Sequence, residues 1–266
     1  MPTNFQPEDE RDLKQAVRRL EITSLAMRIA TAIGKPIEYG IKRLPDGGRA
    51  MIQKAAKTAI EKCLDVALRT LGKQTPPASA TFHKVATGVT GAVGGFFGFF
   101  ALAAELPVST TVMLRSVAEI AREEGENLSD PLARLACIEV FAFGGHSSNG
   151  DTGDTGYYAV RATLARALQE AAAFLSERGF AETGAPAVVR FVTQIASRFG
   201  VTISEKAAAQ SVPVIGAVAG GAINVVFTEH FQQAARGHFT VRRLERKYGE
   251  SAVRAEYERI KKELKG

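Results

Sequence analysis

Residues 87–107 read TGVTGAVGGFFGFFALAAELP, and the fold turns on how this stretch is satisfied. From Ala86 to Ala104, nineteen residues carry no charge; five are glycine and four are phenylalanine. Such a run is a membrane span, a buried core helix, or a helix that serves as either. Each glycine inside a helix costs roughly 1 kcal/mol relative to alanine, so five cost about 5 kcal/mol. Tight packing of a glycine face against a second helix offsets that loss. For insertion into a bilayer, Val89, Val93, Phe96, Phe97, Phe99, Phe100 and Leu102 contribute roughly −2 to −4 kcal/mol. Glycine, threonine and the adjoining Glu105 oppose insertion, so the balance is near zero and all three readings stay open.

A second uncharged run extends from Ala207 to Thr228. Gly91 and Gly95, Gly94 and Gly98, and in the second run Gly216 and Gly220, are each four residues apart. That spacing puts them on one helix face and lets another helix come close. The expectation is an all-α multi-helix bundle with two glycine-rich apolar helical segments at its centre.

The rest of the chain agrees. Leu13, Val17, Leu20 and Met27 fall at helical spacing within 10–33, and Ile52, Ala56, Ile60, Cys63, Ala67 and Leu71 form a stripe within 48–71. The linker GKQTPPASA at 72–80 excludes helix at Pro76-Pro77. It separates an N-terminal helical pair, 1–75, from the main body, 80–266, unless the two form one continuous domain. Pro107 is expected to kink its helix or to start a new one running to about Glu124. Asp130 and Pro131 read as N-cap and first helical position of a helix ending at Gly144-Gly145. A polar loop, 146–156, precedes a helix from Tyr157 of about six turns. Another helix spans roughly Pro186 to Phe199, and basic helices close the chain. Alternating strand patterns are absent.

With 266 residues, 45% apolar and 23% charged, the composition is that of a globular protein and excludes disorder. The net charge of +6 is concentrated at one end: from Arg236 onward there are ten Lys/Arg against five Glu. A basic tail suits anionic lipid, an acidic protein or nucleic acid. The interspersed glutamates favour a solvated helix and make nucleic acid a poor partner. Cys63 and Cys137 have no CxxC or CxH spacing and read as buried thiols in a reducing compartment. The polar start MPTNFQPEDERDLKQ has no apolar signal region, so the expected location is cytoplasmic, with a peripheral position at the inner face of the membrane as an extension.

From about residue 80 the sequence resembles the EcsC family. The resemblance rests on GAVGGFFGFFALAAELPVSTTVMLRSVAEIAREEGENLSDPLARLACIEVFAFGG, then DTGYYAVR, then PVIGAVAGGAINVVFTEHFQQAARGHFTVRRLERKYG. It implies a bacterial, largely helical protein, related to one encoded beside the ATPase and membrane subunits of an ABC exporter. It implies no particular reaction. Glu124 in REEGENL departs from the aromatic residue expected there.

Conventional chemistry is sparse. Asp-Thr-Gly occurs twice in HSSNGDTGDTG, but both copies stand in one polar loop, whereas aspartic proteases draw the two from different lobes. His146, Asp151 and Asp154 are of metal-ligand type, which leaves a metal-assisted hydrolase using 146–161 as an alternative. The plainer reading has Asp154 or Thr155 capping the Tyr157 helix. His83, His146, His230 and His238 show no HxxxH or HExxH pattern, no serine sits in GxSxG, and GAVGG lacks a Rossmann context. No metal and no cofactor is called for, and no catalytic residue is assigned.

The charged residues beside the apolar runs are the better candidates. Glu105, Arg115, Glu119, Arg161, Asn224 and Glu229 form either a structural polar network or the mouth of an apolar cavity fit for a lipid headgroup. Glu105 is expected to pair with Arg115 or Arg161, since a lone buried ion is costly. Phe96, Phe97, Phe99 and Phe100 are the membrane-facing candidates. Arg242, Arg243, Arg246 and Lys247 are the candidates for an anionic surface, unless they pair internally and close the bundle. The expected function is that of a non-enzymatic, membrane-peripheral or lipid-interacting protein associated with transport or envelope maintenance. Its partners would be an anionic membrane or a membrane transport complex; a lipid-free interaction scaffold is the remaining alternative.

Overall fold

The computed structural model describes residues 5–21, 25–33, 47–72, 95–143, 156–179, 183–210 and 213–265. Within them, the side chains of 26, 27, 32, 33, 49, 95–104, 209, 210, 213–222 and 265 lie outside the description. Among the described residues all regular structure is helical: α1 Pro7–Glu21, α2 Leu25–Ile33, α3 Gly48–Thr70, α4 Gly95–Glu123, α5 Pro131–Glu139 with a 3₁₀ turn Val140–Ala142, α6 Tyr157–Arg178, α7 Pro186–Gln210, α8 Pro213–Tyr248 and α9 Glu250–Lys265. The all-α expectation holds.

One core joins helices from both sides of the 72–80 linker. α1 packs on α8 and α9, and α3 packs on α4, α5 and α7. Leu13, Val17 and Leu20 of α1 and Ile60, Cys63 and Ala67 of α3 are buried in the same cluster as Leu114, Phe141 and Phe231. Phe141, Phe199, Phe227 and Phe231 mesh in edge-to-face and tilted pairs, with ring centroids 5.2 to 6.4 Å apart. α1 comes so close to α8 that a Cβ on Gly237 would stand 2.7 Å from Leu20 Cγ. This close approach uses a glycine outside the two uncharged runs. The pairing expected of Gly91–Gly98 with Gly216–Gly220 falls outside the described side chains.

Three local readings are refined. Helix α4 continues through Pro107, which costs it one backbone donor, and the hydroxyls of Thr110 and Thr111 donate to the carbonyls of Leu106 and Pro107 at 2.6 and 2.7 Å. Asp130 caps α5 as expected, accepting from the Leu132 amide at 3.0 Å. Gly156, not Asp154 or Thr155, is the N-cap of α6; the Tyr157 amide there donates to Glu21 Oε1, 3.0 Å away on α1. A carboxylate is favoured beside a helix N-terminus because the exposed N–H groups carry partial positive charge.

The directions of the long helices set the ends of the molecule. Ser116 bonds Gln232, Glu124 bonds Thr240 and Glu126 bonds Arg242, each pair 116 residues apart. A constant offset means that α4 and α8 run parallel. Their uncharged N-terminal segments, 95–104 and 213–222, therefore lie at the same end. Among the described residues no helix is long and apolar enough to cross a membrane.

Candidate functional site

The charged groups fall into three layers along the bundle. At the end where α4 and α8 finish, every one of the four basic candidates is engaged. Arg242 holds Glu126 through two hydrogen bonds of 2.8 and 3.1 Å, and Arg246 adds a third. Arg243 spans Glu124, Asp12 and Asp9 at 2.7, 2.6 and 3.2 Å, and Lys247 meets Asp9 at 2.7 Å. Burial would raise the Glu126 carboxyl, yet Arg242 and Arg246 hold it below its ordinary value. The Lys247 hydrogen bond likewise keeps Asp9 low. Glu124, the departure from the family pattern, is the residue that receives Arg243 and Thr240. Internal pairing is thus what the geometry displays at these four positions. They also stand about 30 Å along α8 from Ala222, roughly twenty residues at about 1.5 Å each.

The middle layer is a buried polar network that no sequence spacing could announce. His238 and Glu139 lie on α8 and α5, 99 residues apart in sequence, with Nε2 3.8 Å from Oε2; both atoms lack a hydrogen-bond partner. His238 Nδ1 shares a 2.9 Å hydrogen bond with the Tyr157 hydroxyl. Complete burial pushes the Glu139 carboxyl up to about 7, and burial with Arg242 and Arg161 nearby pushes His238 well below its ordinary value. The imidazole is neutral there. Arg161 donates to Glu245 at 2.6 Å, and the Tyr158 hydroxyl joins the same oxygen at 3.0 Å. Tyr257 stacks on Tyr157 and meets Tyr158 edge-on, and the Arg161 guanidinium lies 5.5 and 5.6 Å from the centroids of the latter two rings. Arg161 therefore belongs to Glu245, not to Glu105. The legible sign of this layer was a lone Glu139 set in the apolar run ACIEVFAF.

The third layer lies where the uncharged segments of α4 and α8 give way to charged positions. Half-buried Glu105 on α4 bears electrostatically on Lys206 of α7, a residue only 1% exposed whose ammonium is 4.4 Å from the Phe227 ring centroid. Burial lowers that amine to about 8. Sequence reasoning misses Lys206, which there is simply the last charge before Ala207. Nearby, Arg115 joins Glu61, Lys62, Asp65, Pro107, Val108 and Val112 around a groove of about 680 Å³ between α3 and α4. Glu119 is half-buried on the same helix, and Glu229 is exposed on α8. Among the described residues, three of the four exposed valines, Val108, Val201 and Val225, lie toward this end. The side chains of Phe96, Phe97, Phe99 and Phe100 fall outside the description, as do His146, Asp151 and Asp154. Among the described residues no group of three or more His, Cys, Asp or Glu could hold a metal ion.

These features define the protein's class as an all-α bundle with a salt-bridged end, a buried polar middle and, opposite the salt bridges, the uncharged starts of α4 and α8. The chain belongs to the EcsC protein family, which matches it over residues 7–244. No curated protein and no solved structure matches it.

Proposed function

We propose that the protein is a non-enzymatic helical protein that works at a membrane surface by bedding the uncharged starts of α4 and α8 into lipid. One observation carries this reading: α4 and α8 run parallel, so residues 95–104 and 213–222, twenty positions without a charge, lie at the same end. Two marginal apolar segments at one end add their burial, where either alone would hold weakly. The exposed Val108 and Val225 extend the same surface. The basic residues 242–247 take no part, because each is already paired and lies at the far end. A role in membrane transport or envelope maintenance follows from what the family resemblance implies, and a membrane transport complex is the partner it suggests.

Flotation with vesicles of neutral and of anionic lipid tests the reading. Wild type is expected to float with both, with little loss at high salt. Replacing Phe97 and Phe100 by serine should abolish flotation. A wild-type protein that stays unbound with both vesicles, even at low salt, overturns it.

A further inference from the structure

The groove between α3 and α4 holds two cations that the fold leaves uncommitted. The two helices run parallel: the Cys63 thiol meets the Thr111 hydroxyl, and further along both, Arg122 donates to the Leu71 carbonyl at 2.8 Å. The face of α3 from 58 to 65 therefore stands opposite that of α4 from 107 to 115, across about 680 Å³. That volume is in the range of small-molecule sites, roughly 300–1,000 Å³. Pro107, Val108 and Val112 make one part of the lining apolar, and Val108 is 55% exposed. The Thr111 hydroxyl is spent on the Pro107 carbonyl.

The carboxylates around the groove are already matched. Glu61 pairs with Lys57 at 3.9 Å and Asp65 pairs with Arg69, each partner one turn away on α3 itself. On α4, Glu105 bears on Lys206, and Glu119, one turn beyond Arg115, is engaged as well. Lys62 and Arg115 make no ion pair or hydrogen bond among the described residues. Lys54, exposed one turn before Thr58, adds charge of the same sign. An exposed lysine such as Lys62 is ordinary, but Arg115 is half-buried and pairs with neither carboxylate across the groove.

Two positive charges thus remain beside an apolar lining. A planar guanidinium and a mobile ammonium together match a phosphate, the first through paired hydrogen bonds and the second as a point charge. Two cations favour a dianion, which a phosphate monoester approaches at neutral pH and a single carboxylate does not. We propose that the α3–α4 groove receives the phosphomonoester headgroup of a lipid, with Arg115 and Lys62 on the phosphate and the adjoining hydrocarbon over Val112, Val108 and Pro107. The choice of a lipid rests on the membrane reading above; the groove itself is built from described residues of α3 and α4 alone.

The test is titration calorimetry of the full chain with dihexanoyl phosphatidic acid, kept below its micelle-forming concentration. Dihexanoyl phosphatidylcholine, with the same hydrocarbon and no net charge, and glycerol 3-phosphate, with the phosphate and no hydrocarbon, are the comparisons. Wild type should bind the phosphatidic acid about tenfold more tightly than either. Lys62→Gln and Arg115→Gln should each weaken that binding about tenfold and leave phosphatidylcholine unaffected. Lys62 is exposed, so its replacement keeps the fold and the comparison with wild type stands. Val108→Ser should weaken the lipid and not glycerol 3-phosphate. Wild type that does not take up phosphatidic acid, or both glutamine variants binding it as wild type does, overturns the proposal. Glycerol 3-phosphate bound as tightly as the lipid also overturns it, in favour of a site for free phosphate esters. Wild type that floats on neutral vesicles yet ignores the soluble lipid removes this site and leaves the membrane reading standing. Wild type that takes the soluble lipid through Lys62 and Arg115 yet never floats does the reverse.

Discussion

Glu139 shows how a single residue can work against the fold that holds it. Its surroundings are His238 and Arg242 from α8, Tyr157 and Arg161 from α6, and Glu245, and its Oε2 accepts no hydrogen bond. The folded carboxyl titrates near 7 against an ordinary 4.5. Between those values the native state holds the proton that the unfolded chain has released. Stability contributed by the neutral acid is therefore complete below about 4.5 and is lost as pH rises toward 7. His238 works in the opposite sense. Its folded value is depressed, so its contribution is lost as pH falls below 6.5. Replacing Glu139 by glutamine removes only the first effect. Relative to wild type, Glu139→Gln should gain about 3 kcal/mol between about pH 4.5 and pH 7.5, because each tenfold change in proton affinity is worth about 1.4 kcal/mol. Melting curves across that range check this, and a difference independent of pH would show that Glu139 is not held as described. The sequence displayed the isolated glutamate but not its partner, because the pair is assembled by two helices 99 residues apart.

At the scale of the element, α8 carries most of what distinguishes the ends of the molecule. Its 36 residues pass from an uncharged start to a basic finish without a break, although the sequence suggests separate pieces. Local pattern identified the helix at every point. What it could not supply was the partners of Arg242, Arg243, Arg246 and Lys247, since four basic residues in six positions look alike whether solvated, bound to lipid or paired. The pairing decides between these. Arg242 and Glu126 are 16% and 5% exposed, so removing the arginine strands a buried carboxylate with only Arg246 beside it. Arg242→Gln should destabilise the fold by about 2 to 4 kcal/mol, somewhat less than complete loss of a buried pair. Its flotation on vesicles should match wild type at a temperature where both are folded. A variant that keeps its melting temperature and loses only its attraction to anionic vesicles would restore these residues to the surface.

The architecture of the whole molecule is where the sequence stopped short. Two uncharged runs could be recognised as equivalent, but whether they point the same way depends on three cross-helix hydrogen bonds that sequence periodicity does not encode. Helix type, most boundaries and the α5 cap were legible because they follow from local chemistry; the shared core and the common end depend on which faces meet. If the proposed membrane reading holds, the parallel course of α4 and α8 places the lipid-facing segments at one end of the bundle and not at the other. Cysteine labelling addresses this directly, because the native thiols are buried and their titration is pushed up, Cys137 to about 12, leaving them unreactive at neutral pH. An environment-sensitive fluorophore would be placed at Val225→Cys, near the uncharged end, and separately at Glu250→Cys, beyond the salt-bridged end; both positions are exposed. On adding vesicles, the label at 225 should shift to the blue and be quenched by lipid-borne quenchers, while the label at 250 stays unchanged. A shift at 250 without one at 225, or no shift at either position, would contradict the account.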